Sequence, residues 1–388
     1  MMKVMVLGGD GFCGWPTALH LSQMGHEVAI VDNLSRRKID IDLAVDSLTP
    51  ITSINTRLQV WQATSGQTIP FFLLDVAQEY HRFVELLHRF RPDAIVHFAE
   101  QRSAPYSMQS ERTKRYTVNN NLTATHNVLC AIVESGLDIY LVHLGSIGVY
   151  GYHTAGIKIP EGYLNVHIQE EGKIVSQKML YPPHPDSIYH MTKAQDQVFF
   201  YYYNKNDKLR ITDLHQGIVW GTQTQETKLD ERLINRFDYD GIYGTVLNRF
   251  IIQATLKQPL TVYGTGGQTR AFIHIQDTVR CIELALNNPP NTGEPVQILN
   301  QITQTHTVKS LAETIAEMTN AQIDYLPNLR VEPQENEFIV ANECLLSMGL
   351  NPITLEKGLI EEVQEIAEKY QYRCNAEKME ATAKWRKD

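Results

Sequence analysis

The chain has 388 residues, 43% hydrophobic and 20% charged, with a net charge of −9 at neutral pH. That composition excludes a largely disordered chain, and the acidic balance argues against a general pull toward nucleic acid or anionic membranes. Five scattered cysteines (Cys13, Cys130, Cys281, Cys344, Cys374) show neither a disulfide framework nor metal-ligand spacing, and no apolar run reaches the ~20 residues of a membrane helix.

Near-continuous apolar runs at residues 4–8, 28–32, 71–75, 94–99, 139–145 and 211–219 predict strands. Continuous rather than alternating runs mark strands buried on both faces of a parallel sheet. Helical patterns lie between them at 80–90, where Phe83, Leu86, Leu87 and Phe90 recur at helical spacing, and at 122–134. This alternation predicts a doubly wound α/β domain over residues 1–220, interrupted by insertions at 35–70 and 152–186. Residues 221–388 are expected to form mainly a smaller substrate-binding subdomain, with some segments returning to the first domain. Short strands are expected there near 260–263 and 296–299. The charged stretch 374–388 is expected to fray or to pack as a surface helix. With the first strand at the start of the sequence, no targeting segment is expected, and the compartment is expected to be reducing and cytoplasmic.

The loop Gly8-Gly9-Asp10-Gly11-Phe12-Cys13-Gly14 joins the first strand to a helix. Gly8 suits the tight turn, Gly11 lets a pyrophosphate approach the backbone, and Gly14 lets the helix pack close to the sheet. The motif in this setting predicts a Rossmann-type dinucleotide site. Asp32 closes the second strand, where a carboxylate accepts ribose hydroxyls and repels a 2′-phosphate, so NAD is the expected cofactor. Arg36 and Arg37 pull the other way. The expected cofactor wall is completed by Phe12, Cys13, Asn33 and Arg36. It continues with Asp75 and Val76 near the adenine, Phe98, Ala99 and Glu100 after the fourth strand, Asn121 at the opening of the next helix, and Gln216.

Tyr189-His190-Met191-Thr192-Lys193 sets Tyr189 and Lys193 on one face of a helix. An ammonium nearby favours the phenolate, so the pair is a candidate base for a sugar or alcohol hydroxyl. Lys193 can also reach the nicotinamide ribose. Ser146, at the end of the fifth strand, can share that hydroxyl.

With these residues the chain resembles the extended short-chain dehydrogenases/reductases acting on nucleotide sugars, the NAD-dependent epimerases and dehydratases. More narrowly it resembles the UDP-sulfoquinovose synthase family, whose product heads a sulfolipid. The matching strings are 7–33, Ser47–Ile51 (residues 47–51), His97-Phe98-Ala99-Glu100-Gln101-Arg102-Ser103-Ala104-Pro105-Tyr106-Ser107-Met108, 189–193, 238–240, 244–250 and 260–270. The resemblance implies the following chemistry. Tyr189 takes the proton of the glucose 4-hydroxyl as hydride passes from C4 to NAD. The ketone acidifies C5, water leaves across C5–C6, sulfite adds at C6, and hydride returns. His190 is implied as an acid or base in the later steps. UDP-glucose or a related UDP-sugar, with sulfite, would be the substrates, and the protein a homodimer. Arg270 and Arg330 are the expected diphosphate clamps, with Gln268 and Glu332 beside them. Thr261 and Tyr263 match the uracil region, Thr245 and Asn248 the sugar, and Gln101 and Arg102 the sugar or the sulfite. No metal and no nucleic acid are expected.

Five positions depart from the family pattern. The string Gly145-Ser146-Ile147-Gly148-Val149-Tyr150-Gly151 has Ser for Thr, Ile for Met, and Val149 where the synthases carry Glu. His215 stands in place of Asn and His274 in place of Asp. Val149 cannot move a proton, and its local string resembles nucleotide-sugar 4-epimerases. A diverged epimerase or dehydratase therefore stands beside the synthase reading. A non-catalytic nucleotide-sugar or NAD sensor is the third, disfavoured by the intact Ser146, Tyr189 and Lys193.

Overall fold

Lys3–Leu7 (β1), Glu27–Asp32 (β2), Phe71–Leu73 (β3), Ala94–His97 (β4) and Tyr140–Ser146 (β5) begin a parallel sheet. The structure, a computed structural model, describes residues 1–151, 158–328, 334–355 and 357–380. An antiparallel hairpin, Tyr163–Glu170 (β6) and Lys173–Leu180 (β7), stands outside that sheet. There follow Ile211–Gln216 (β8), Ile218–Trp220 (β9), Leu260–Tyr263 (β10), Thr269–His274 (β11), Gln297–Gln301 (β12), Gln304–Thr307 (β13) and Ile323–Leu326 (β14).

The main sheet has the order β12-β8-β5-β4-β1-β2-β3, with every neighbour parallel. The chain winds outward in both directions from β1, which places a crevice where β1 and β4 diverge. Alternate residues feed two separate cores. Val4, Val6, Val28, Ile30, Val96 and Val142 face one layer, and Met5, Leu7, Ala29, Val31, Ile95 and Leu141 the other. Both faces are covered, so most of these strands read as near-continuous apolar runs, and the doubly wound α/β expectation holds.

The run 211–219 is two strands rather than one. β8 pairs with β5 in the main sheet, whereas β9 pairs with β11 in a three-stranded sheet of order β13-β11-β9. Gly217 makes the break: a Cβ there would sit 2.8 Å from the Ala271 carbonyl oxygen. The helix expected at 122–134 begins earlier and spans Glu111–Ser135. Its first half is polar (Lys114, Arg115, Asn119, Asn120) and hides from apolar periodicity, but Ser110 and Thr113 form a reciprocal capping box that fixes the start. The first insertion folds as helices Ser35–Leu43 and Ile54–Ser65, and the second carries the β6–β7 hairpin.

The smaller body joins the parallel pair β10–β14 to helices Val246–Thr255, Val308–Thr319 and Lys357–Tyr370. Leu247, Phe250, Leu260, Val262, Leu311 and Val363 form its core, which Leu48 of the first insertion enters. Of the charged terminal stretch, Ala376–Lys378 makes one 3₁₀ turn, and residues 381–388 lie outside the described residues. Among the described residues no helix is long and apolar enough to cross a membrane.

Candidate active site

The glycine loop follows β1 into the crevice. Gly8 has φ +81°, and a Cβ on it would lie 2.7 Å from the Phe98 carbonyl carbon. Only glycine fits that left-handed position and that close approach. A Cβ on Gly14 would collide with the Gly8 carbonyl oxygen, so the missing side chain is what lets helix Gly14–Gln23 start against the turn. Gly8, Gly11, Phe12, Cys13 and Gly14 line one end of a cavity of about 380 Å³.

Asp32 ends β2 beside this loop. Its oxygens accept the Asp10 N–H at 2.9 Å and the Leu34 N–H at 2.6 Å. Burial and the nearby Asp10 charge push its pKa up to about 6. Arg37 is tied to Asp10, Nε to Oδ2 at 2.5 Å, and Arg57 meets the other Asp10 oxygen at 3.1 Å. Arg36 is paired with Asp40 and Asp238. Both arginines that follow Asp32 are thus engaged by carboxylates. Their pull toward a 2′-phosphate is answered inside the protein, and the site suits NAD. Asp32→Ala is expected to weaken NAD binding roughly 10–100-fold, the equivalent of about 1.5–3 kcal/mol for a hydrogen bond to a charged group. Calorimetric titration of cofactor-free protein would measure it.

Across the cavity lie Ser146 at the end of β5 and Tyr189, His190 and Lys193 on helix Ile188–Asp207. Ser187 caps that helix by accepting the His190 N–H. This fixes the first turn, from which Tyr189 and Lys193 project together. The Tyr189 hydroxyl is hydrogen-bonded to Ser146. Lys193 Nζ donates to the Leu144 carbonyl at 2.7 Å and pairs with Glu100 Oε1 at 2.9 Å. The sequence suggests a phenol made more acidic by Lys193. In the structure burial prevails and raises the Tyr189 pKa, with Glu100 adding to the rise, while Lys193, Arg102 and Ser146 act against it. Burial would lower the Lys193 pKa, but Glu100 more than offsets this, so the ammonium stays charged. Its field falls on Tyr189, whose ring centroid is 6.0 Å away. Gly148 has no side chain where His190 needs space.

The smaller body closes the cavity with Thr245, Asn248, Tyr263, Gln268 and Arg270. Asn248 Oδ1 and Gln268 Nε2 are buried without a hydrogen-bond partner among the described residues. Two such atoms in one cavity wall point to a polar ligand, because an unmade buried hydrogen bond is costly. Gln101 and Arg102 form part of the opposite wall. Gln101 spends its amide N–H on Ser103 and Thr117, and Arg102 pairs with Asp238.

Most other expected site residues lie around the cavity rather than on it, Gln216 excepted. Asn121 sits inside helix Glu111–Ser135 rather than at its opening; its side chain accepts the Gln101 N–H at 2.8 Å and donates to the Gln101 carbonyl at 2.9 Å. It clamps the loop that carries Glu100 and Arg102. Asn33 donates to Asp75, Val76 is in the apolar core, Ala99 packs against that core, and Thr261 is bonded to Gln253. Gln216 lines the cavity and donates to Gln301 at 3.0 Å. Arg330 and Glu332 lie outside the described residues.

Several cavity residues escaped the sequence reading: Ser35, Tyr116, Arg236, Asp238, Tyr243 and Asn328. Asp238 is the hub, accepting from Arg36, Arg102 and Arg236. Burial would raise its pKa, but the three guanidinium groups hold it well below the usual carboxylate range. The string 238–240 was the available signal. Glu100, His143 and Asp196 also converge, but the Lys193 ammonium lies among them, 2.9 Å from Glu100 and 3.1 Å from His143. It fills the place a cation would take.

Residues 4–300 match the model of the NAD dependent epimerase/dehydratase family. UDP-sulfoquinovose synthase, chloroplastic, of Spinacia oleracea is 42% identical over 99% of this chain and 79% of its own. UDP-sulfoquinovose synthase of Sulfolobus acidocaldarius is 38% identical over 100% of this chain and 98% of its own. Among solved structures, that of UDP-glucose 4-epimerase with UDP-glucose from Thermotoga maritima superposes with a TM-score of 0.69 at 19% identity. It covers 96% of this chain and 99% of that one, a likeness of fold. With its glycine cradle and the Ser146–Tyr189–Lys193 set in one cavity, and Asp32 beside the cradle, the chain is an NAD-dependent enzyme that belongs to the NAD dependent epimerase/dehydratase family and, within it, to the family of the UDP-sulfoquinovose synthases.

Proposed function

We propose that the protein converts UDP-glucose and sulfite into UDP-sulfoquinovose and water, with NAD returned to its starting state. The observation that carries this reading is the convergence of Ser146, Tyr189 and Lys193 with Glu100, Gln101 and Arg102 on one cavity. It occurs in a chain similar over 99% of its length to a UDP-sulfoquinovose synthase. NAD fits the cradle of Gly8, Gly11 and Gly14 with Asp32 at its edge; when bound, it supplies reversible oxidation at the sugar C4.

Tyr189 takes the C4-hydroxyl proton through Ser146 and returns it at the end. Lys193 and Arg102 favour the phenolate that this needs. A C4 carbonyl acidifies the C5 proton. In this reading His190, buried against Gly148 at the cavity wall, moves a proton from C5 to the departing C6 hydroxyl, which leaves as water. The sulfur lone pair of bisulfite then forms the bond to C6, and C5 regains a proton. One C–O bond is exchanged for one C–S bond, and one water is released. Arg270 and Gln268 serve the nucleotide diphosphate, with Asn248 offering its open acceptor to the ligand.

Val149 supports a second reading, a UDP-sugar 4-epimerase or dehydratase. It is buried in an apolar cluster with Ile147, Ile159 and Phe338, so no carboxylate serves the elimination from that position. A mass-spectrometric product assay separates the two. With UDP-glucose, NAD and sulfite, the expected product is UDP-sulfoquinovose, absent from a matched reaction without sulfite. UDP-galactose or a 4-keto sugar in both reactions, with no sulfonate, selects the second reading.

A further inference from the structure

Behind Lys193, inside the sheet, lies a set of ionisable side chains that the proposed steps do not use. His143 on β5 stands in register with Asp213 on β8, and His215 is two residues further along β8 on the same face. All three are buried. His143 Nδ1 lies 2.8 Å from Asp213 Oδ1, and His143 Nε2 lies 2.9 Å from Glu100 Oε1. An ionised carboxylate can only accept. A histidine with a carboxylate on each nitrogen satisfies both only when both nitrogens carry hydrogen. The second Asp213 oxygen meets His215 Nε2 at 2.9 Å, and His215 Nδ1 meets the Tyr150 hydroxyl at 2.8 Å, which fixes Asp213 in place.

Glu100 is the link to the cavity. Its Oε1 takes the Lys193 ammonium, the His143 ring and the Thr125 hydroxyl, while its Oε2 has no partner among the described residues. Two further ionisable groups lie near His143. Asp196 Oδ2 is 3.6 Å from His143 Nε2, and burial with repulsion from Glu100 drives its pKa well up. Burial pushes His97, whose ring centroid is 5.6 Å from that of His143, down to about 3. Burial and Lys193 act to lower the His143 pKa, but Asp213 and Glu100 more than offset them and raise it to about 9. Burial would raise the Glu100 pKa, yet Lys193 and His143 hold it near 2. The groups so far are two cations and two anions, in alternation from Lys193 to Asp213.

We propose that His143 is a positioning residue of the reaction. Clamped as an imidazolium between Asp213 and Glu100, it takes up part of the Glu100 charge and leaves the field of Lys193 free to ease proton release from Tyr189. Without that imidazolium, Glu100 would neutralise Lys193 outright, and its own field would oppose the phenolate. The proposal rests on Tyr189 as the base. Its test reads Tyr189 ionisation and not product, so absence of the sulfonate would count against the sulfite reaction and leave this device standing.

The first arm uses the unmodified NAD-bound protein and nitrogen NMR of labelled histidine. His143 is expected to be protonated on both nitrogens near neutral pH and to titrate near 9. A neutral ring whose bare Nε2 accepts from Lys193, 3.1 Å away, overturns the proposal. The second arm follows the ultraviolet phenolate signal of Tyr189, obtained by difference from Tyr189→Phe, in H143Q and H143K. Gln keeps a hydrogen-bonding group and loses the charge; Lys keeps the charge. The Tyr189 midpoint is expected to rise by about one pH unit in H143Q, roughly tenfold less phenolate below it, and to return toward the unmodified value in H143K. An unchanged midpoint in H143Q, or equal shifts in both variants, is what a packing role gives and overturns the proposal. If H143Q does not fold, the NMR arm decides alone.

Discussion

Tyr189→Phe should slow the sugar-dependent reduction of bound NAD by about 10²–10⁴-fold, the usual range for removing a positioned acid–base group. The ring and its packing survive, 5.1 Å from His190 by centroid, while the hydroxyl bonded to Ser146 is lost. The dissociation constant for UDP-glucose should change by less than about threefold, because the lost interaction belongs to the transition state. Rapid-mixing absorbance of the reduced nicotinamide measures the rate, and calorimetry the affinity. In the unmodified enzyme the rate should rise with pH, since burial keeps the phenol protonated and a higher pH supplies the missing base. That rise should vanish in Tyr189→Phe. A variant with full activity would remove Tyr189 from the mechanism.

Asp238→Ala should cost about 3–5 kcal/mol of stability, as when one partner of a buried ion pair is deleted. Arg236 and Arg36 would then converge with Asp40 as their shared anion, and Arg102 would lose its partner. Arg102 is more than a third exposed, so most of the loss falls on buried Arg236 and partly buried Arg36. The pH dependence has a definite sign. Asp238 has a folded pKa below its unfolded value of about 3.9. Its contribution is full above that unfolded value and is lost as pH falls toward the folded pKa. Urea unfolding across that acid range should therefore show a shallower decline in Asp238→Ala than in the parent. The same variant should bind UDP-sugar less well, because Arg36, Arg102 and Asp238 share the cavity wall.

Sequence legibility followed the physics of each segment. Strands buried on both faces cannot hide: β1, β2, β4 and β5 read as near-continuous apolar runs, and helix Tyr80–Phe90 shows its face through Phe83, Leu86, Leu87 and Phe90. Elements held by polar contacts were silent. β13 reads Gln-Thr-His-Thr, and its place comes from antiparallel pairing with β11. In the site, residues joined by local spacing were visible: the glycine loop and the Tyr189–Lys193 step. Residues joined only through space were not. No spacing rule links Asp10 to Arg57, or Asp238 to Arg36 and Arg102. His143, Asp213 and His215 did leave a trace, since ionisable residues inside buried strand runs call for partners. In the sequence His215 stands out only as a departure from a family pattern, and its pairing with Asp213 is a contact the structure supplies.

The break at Gly217 also bears on how the molecule is made. β8 leaves its outer edge open until β12 arrives from far along the chain, and β9 waits likewise for β11. A nascent polypeptide that has exposed Ile211–Gln216 but not yet Gln297–Gln301 therefore carries a strand edge of unpaired donors and acceptors, with Asp213 and His215 on it. Such an edge is a template for mispairing. Synthesis of this protein has a window of vulnerability that closes when Gln297–Gln301 emerges, and a slow or truncated translation product ending soon after Trp220 should aggregate rather than yield half an enzyme.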